Sequence, residues 1–198
     1  MSAAVSVGFG LTGSYCTYAK VFPVIEQVRK RFGVVMPIMS ERSAATDTRF
    51  GKAADFIREL ERICGRPPMT TIAEVEKIGP KKLLDVLVIA PCTGNTLGKL
   101  AGGITDTSIT MAVKAHLRNG RPVVLAISTN DGLAVSLRNL GDLSCRKHIY
   151  LVPFRQDDPV QKPTSLVADM SRIPETIEAA LEGRQLQPLL LGPEAVPG

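Results

Sequence analysis

The 198-residue chain contains no tryptophan, and aromatic residues make up only 5% of it. It has two histidines, His116 and His148, and four cysteines, Cys16, Cys64, Cys92 and Cys145. The cysteines are scattered, with no Cys-x-x-Cys pair and no His/Cys cluster, so the ligand spacing of a zinc site is missing. We expect four reduced thiols and no metal. Cys92 invites a reading as a nucleophile, but no histidine lies near it in sequence. No apolar run approaches the roughly 18 residues that span a membrane. The start of the chain has neither a basic n-region nor a separate apolar h-region, so no signal peptide is read and a cytoplasmic location is expected. The net charge is +5. Its basic residues are spread out rather than gathered with aromatics, unlike a nucleic-acid-binding face. The excess suits small anionic ligands or a solvated surface, and charge alone does not separate the two.

What the chain does have is 44% hydrophobic residues, enough for a sizeable core, and a regular alternation of strand and helix patterns. Residues 5–9, 34–39, 84–90, 123–127 and 149–152 read as strands. Between them, helical spacing covers about 14–31, 52–64, 72–77, 97–101, 107–118 and 132–140. The segment 41–48 reads as a polar loop, 153–159 as a loop, and 166–182 as a last helix. Continuous Val/Leu/Ile strands require burial on both faces. The pattern predicts a single-domain, Rossmann-like (flavodoxin-like) three-layer α/β fold over residues 1–184. Its sheet would have about five parallel strands, and residues 185–198 would form an extended tail.

Three predicted strand ends carry glycines, hydroxyls and amides: Gly8-Phe9-Gly10-Leu11-Thr12-Gly13-Ser14, Ala90-Pro91-Cys92-Thr93-Gly94-Asn95-Thr96, and Ser128-Thr129-Asn130-Asp131. Ligands bind at that edge of an open parallel sheet. Gly8-x-Gly10-x-x-Gly13 has the letters of a dinucleotide fingerprint. However, no acidic residue ends the second strand, where Ser40 stands instead, and this suits a mononucleotide better. A purely structural turn is the alternative. Thr93, Asn95 and Thr96 either bind a ligand or cap the following helix, and Ser128 and Asn130 carry the same ambiguity. His116 and His148 read as solvated rather than catalytic. In residues 153–159, Asp158 before Pro159 fits a turn, whereas Arg155 fits a bidentate grip on a substrate carboxylate.

On these residues the chain resembles the flavoprotein family of homo-oligomeric, flavin-containing cysteine decarboxylases. That family includes phosphopantothenoylcysteine and lantibiotic decarboxylases and flavin prenyltransferases. The resemblance rests on Gly10-Leu11-Thr12-Gly13-Ser14, Pro91-Cys92-Thr93-Gly94-Asn95-Thr96, Ala101-Gly102-Gly103-Ile104-Thr105-Asp106 and Ile127-Ser128-Thr129-Asn130. It implies FMN held by Gly10, Thr12, Gly13, Ser14, Ser40, Thr93, Gly94, Asn95, Thr96, Ser128 and Thr129, and a trimer-based homo-oligomer. There are departures. Lys77 stands where the decarboxylases carry a catalytic histidine, Ile127 and Thr129 replace a proline and a methionine, and Met111 replaces an arginine of the prenyltransferases.

A narrower resemblance, through residues 46–52, 127–131, 153–159, 162–168 and 185–188, is to a subfamily of spore-forming bacteria whose members work with a separate A subunit. It implies oxidation of dihydrodipicolinate, or of its hydroxylated precursor, to dipicolinate during sporulation. The small dicarboxylate substrate would be held by Arg49 and Arg155, with Lys52 as helper and Asn130 near the ring. The lost family residues leave an alternative open, in which the chain is a binding or scaffolding subunit whose site holds phosphate or another anion.

Overall fold

The computed structural model describes residues 4–192. β1 (Val5–Leu11) leads through a 3-10 turn into α1 (Tyr18–Phe32). Val21, Val24, Ile25 and Val28 form the buried stripe of α1, and Arg29, Lys30 and Arg31 occupy its last turn, where cations suit the helix dipole. Gly33 ends the helix at φ 99°, a value that a β-carbon resists. Next come β2 (Gly33–Met39), α2 (Glu41–Ala45), α3 (Ala53–Cys64), α4 (Ile72–Val75) and α5 (Ile78–Lys81). β3 (Val86–Cys92) is buried at every residue. After it follow α6 (Gly94–Ala101), α7 (Ser108–Leu117), β4 (Val123–Thr129), α8 (Val135–Ser144) and β5 (Ile149–Leu151). The last elements are β6 (Phe154–Asp158), β7 (Lys162–Ala168) and α9 (Ile173–Leu181).

The seven-stranded sheet runs β2-β1-β3-β4-β7-β6, with β5 also on β4. The β1, β2, β3, β4 and β5 pairings are parallel. α1, between β1 and β2, packs on β1, β2 and β3, and α6 and α7, between β3 and β4, pack on each other and on β4; the right-handed crossovers usual for parallel strands place the two sets on opposite faces. α9 packs beside α1, and α4 and α5 pack against α7. The chain adds β2 on one side of β1 and β3 and β4 on the other, so the β1–β3 boundary is the switch point where α/β sheets open a crevice.

The expected α/β class and parallel core are present, but several elements differ. The sheet has seven strands rather than five, because β6 and β7 add an antiparallel hairpin. β4 forks: Val123, Val124 and Leu125 pair parallel with β5, while Ser128 and Thr129 pair antiparallel with β7. Residues 162–168, expected to be loop and helix start, are strand, and α9 begins only at Ile173. Leu166, Val167 and Ala168 are apolar enough for either element, and pairing of Leu166 and Val167 on both sides and of Ala168 with Phe154 makes them strand. Within the expected polar loop 41–48, Glu41–Ala45 is a helical turn capped by the Ser40 hydroxyl, which accepts from Ser43 N–H at 3.2 Å.

After α9 the Gln185 side chain brackets Leu151, accepting from its N–H at 2.8 Å and donating to its carbonyl at 2.7 Å. Phe154 N–H then donates to Leu189 and Leu191 N–H to Phe154. Residues 193–198, part of the expected tail, lie outside the described residues. Among the described residues no helix is long and apolar enough to cross a membrane.

Candidate functional site

Three strand ends are bolted together by hydroxyls. The buried Thr12 hydroxyl, just past β1, donates to the Pro91 carbonyl of β3 at 2.6 Å and accepts from Thr93 N–H at 3.3 Å. Tyr18 O–H, from α1, donates to the Thr12 carbonyl at 2.8 Å. Ser14 adopts a left-handed backbone at φ 64°, and its hydroxyl donates to the Ser128 carbonyl of β4 at 2.8 Å. Thr17 and Ser128 hydroxyls meet at 3.0 Å. These bonds hold the edge rigid and use several hydroxyls that the sequence offered as ligand groups.

The α6 N-terminus faces this edge. Thr93 is the cap, accepting from Thr96 N–H at 3.2 Å. The N–H groups of Gly94 and Asn95, in the first helical turn, have no acceptor within the helix. With Thr93 as cap, the Asn95 side chain is exposed and has no hydrogen-bond partner among the described residues.

Two cavities open on either side of this helix start, of about 570 Å³ and about 600 Å³, a size usual for small-ligand sites. Thr93 and Asn95 line both. The first also takes in Ser14, Gly94, Ser128, Thr129 and Asn130. The second takes in Thr12, Gly13, Ser40 and Thr96. Of the residues expected around a cofactor, Gly10 alone lines neither cavity. It sits inside β1, where a β-carbon would stand 2.8 Å from Ile89 Cδ1 and 2.9 Å from Ile109 Cδ1. Gly8 is crowded in the same way by Leu84 and Leu87. These two glycines let β1 pack against its neighbours.

Among the expected substrate ligands, only Asn130 lines a principal cavity. Arg155 lines a smaller cavity of about 300 Å³, which shares Lys20 and Val167 with the first, and it lies 3.5 Å from Asp169. Arg49 is exposed, its guanidinium 4.8 Å from the Phe50 ring centroid, and Lys52 is exposed before α3. Both lie outside the two cavities, as does Lys77.

The sequence pattern did not point to the charged lining. In the second cavity Lys99 is paired with Asp106 at 2.8 Å. There Glu41 accepts from Ser108 N–H at 2.8 Å, at the start of α7. Arg42 has no ion-pair or hydrogen-bond partner among the described residues. In the first cavity Lys162 is paired with Asp157 at 2.6 Å. The hydroxyls of Thr129 and Ser136 donate to Asp131 Oδ1 and hold its carboxyl below the usual range. Lys20 is exposed, and it too has no such partner among the described residues. The signal for Lys20 was its place in the first turn of α1, where the helix dipole disfavours a cation.

Two groups bear on the sequence reading. His116 is not solvated: it is fully buried, with Nε2 3.0 Å from the Pro122 carbonyl and Nδ1 without a partner. Burial lowers its pKa to about 4. Cys92 is fully buried at the end of β3, and burial pushes its thiol up to about 12, which disfavours the thiolate that a nucleophile needs. Among the described residues no group of three or more His, Cys, Asp or Glu is placed to hold a metal ion.

The sequence matches the Flavoprotein family over residues 1–172. It is 48% identical over 185 residues to the B subunit of dipicolinate synthase from Bacillus subtilis strain 168, covering 93% of this chain and 92% of that one. The crystal structure of the dipicolinate synthase B subunit from Bacillus halodurans aligns with a TM-score of 0.88 at 46% identity, over 97% of this chain and 99% of that one. That of the FMN-dependent cysteine decarboxylase SpaF aligns with a TM-score of 0.65 at 25% identity, over 91% and 97%. With the family matched over most of its length, and with its strand-end loops gathered around one crevice, this chain belongs to the flavoprotein family.

Proposed function

We propose that this chain is the B subunit of a dipicolinate synthase. It would act with a separate A subunit to oxidise dihydrodipicolinate, or its hydroxylated precursor, to dipicolinate during sporulation in the cytoplasm. The observation that carries this reading is the near-complete match to two dipicolinate synthase B subunits, in sequence and in fold.

The donor set around the second cavity fits FMN. It offers hydroxyls at Ser40, Thr96 and Thr107 and the Arg42 guanidinium. Gly13 leaves little room there, since a β-carbon on it would come within 3.3 Å of Thr93 Cγ2. These are groups for a phosphate and a polyol, and the α6 N-terminus adds free N–H donors beside them. Bound flavin would supply the two-electron acceptor that aromatisation of the ring requires. The protein's part is to bind and orient. Ser40, Thr96 and the amide of Asn95 would hold the phosphate and ribityl chain. Thr93 and Asn95, on the wall common to both cavities, would stand between cofactor and substrate. The first cavity, with Asn130 at its edge, would take the small dicarboxylate, and Arg155 lies one cavity further out. Residues up to 184 would form the flavoprotein domain, and the described residues 185–192 a tail held along Leu151 and Phe154. Exposed Leu133, Val135 and Leu137, where the chain enters α8, would suit a trimer-based homo-oligomer.

The test is an FMN titration followed by flavin absorbance and fluorescence, with the chain alone and then with the A subunit. Saturable binding of one FMN per chain, and ring oxidation that needs both subunits, are the expected results. Absence of FMN binding in both titrations would overturn the flavin assignment. If ring oxidation by the A subunit still depended on this chain, the chain would be a scaffold.

A further inference from the structure

The geometry points to Lys20 as the residue that recognises a substrate carboxylate in the first cavity, whose lining includes Lys20 and not Arg49. The inference rests on the ring-dicarboxylate reading above and assigns that substrate a specific cation.

Four charged side chains line the cavity: Lys20, Asp131, Asp157 and Lys162. Asp157 and Lys162 neutralise each other at 2.6 Å on the exposed hairpin of β6 and β7. Asp131 is held from within the protein by Thr129 and Ser136. Lys20 remains, an ammonium with no anionic partner among the described residues, on the side of the cavity built by α1. Three ammonium protons can meet a carboxylate without a fixed approach, and the positive end of α1 strengthens the same field. Asn130 and Ser165 also line the cavity and offer neutral hydrogen-bonding groups to the remainder of the ring. Lys20 also borders the smaller cavity that contains Arg155. A planar ring with two carboxylates could therefore meet Lys20 with one of them, while a ring with a single carboxylate could forgo that contact.

The test compares dipicolinate with picolinate, which has one carboxylate fewer. Binding is measured by calorimetry on the FMN-treated full chain, with the A subunit present, for wild type, Lys20→Met and Lys20→Arg. Loss of a charge-assisted contact predicts that Lys20→Met binds dipicolinate about tenfold more weakly or worse and loses the preference for dipicolinate over picolinate. Lys20→Arg should keep most of the preference, and all three proteins should take up FMN with the same affinity. A folded Lys20→Met variant that keeps wild-type dipicolinate affinity and preference overturns the inference and leaves the function standing. If wild type binds neither acid, the dicarboxylate reading itself fails.

Discussion

At Gly94 a β-carbon would stand 2.6 Å from Asp131 Oδ1, 2.6 Å from Thr129 Oγ1 and 2.7 Å from Ser136 Oγ. Both hydroxyls donate to that carboxylate oxygen, so none of the three atoms can retreat without breaking a hydrogen bond. Gly94→Ala should therefore cost roughly 1–3 kcal/mol, as overpacking of a tight site does, read as a lower urea midpoint. His116 sets a pH dependence. Its only partnered nitrogen faces a carbonyl, so the neutral ring with Nε2–H fits, and a proton on Nδ1 would be buried without an acceptor. The folded pKa, near 4, lies below the ordinary 6.5, so the unfolded chain binds the proton more readily. The contribution is complete above pH 6.5 and is lost as pH falls from there towards 4, by at most about 1.4 kcal/mol per pH unit. Urea midpoints measured across that window should fall, and a folded His116→Gln variant should show a flatter profile. At the thiols, iodoacetamide should label the exposed Cys16 and Cys145 and spare Cys64 and Cys92, as counted by mass spectrometry.

At the scale of elements, the fork in β4 separates what the sequence could show from what it could not. β1, β3 and β4 announce themselves because burial on both faces leaves runs such as Val86-Leu87-Val88-Ile89 with no polar interruption. β6 and β7 do not. Phe154-Arg155-Gln156-Asp157-Asp158 is half-exposed and polar, and only Ser165, Leu166 and Ala168 of β7 are buried. Their strand character comes from partners far off in the chain, a tertiary effect that no local period records. The same limit applies to the site. The three strand-end loops were legible, because glycines and hydroxyls after apolar runs mark them. The split into two cavities was not, and neither were the packing role of Gly10 and the unpartnered state of Lys20. Leu166 is the joint of this fork: it is buried, it pairs with Thr129, and it lines the first cavity. Leu166→Ala should cost about 2–4 kcal/mol by leaving a void under the β4–β7 seam. The same change should weaken small-ligand binding in the first cavity more than FMN binding in the second. Equal loss at both would mean that the hairpin supports the whole crevice.

For the whole molecule, the bonds from Thr12 to Pro91, Ser14 to Ser128 and Tyr18 to Thr12 tie α1 and three strand ends into one rigid edge. A ligand held there stabilises the entire fold, because the edge exists only when β1, β3 and β4 are assembled. FMN at a hundred times its Kd should then raise the stability by about 2.7 kcal/mol. For a chain of this length that is a rise in Tm of roughly 5–10 °C. Asn95 tests whether the stabilisation comes from the shared wall. Its side chain caps nothing, so Asn95→Ala should leave the Tm of the chain without FMN nearly unchanged. If the amide donates to or accepts from the flavin, its loss costs on the order of 1–3 kcal/mol of binding. A tenfold weaker Kd at the same FMN concentration would roughly halve the stabilisation. Thermal melts of both proteins with and without FMN read this directly. An undiminished FMN-induced rise in Asn95→Ala would remove Asn95 from the cofactor site, whereas a halved rise on an unchanged starting Tm would place its amide against the ligand.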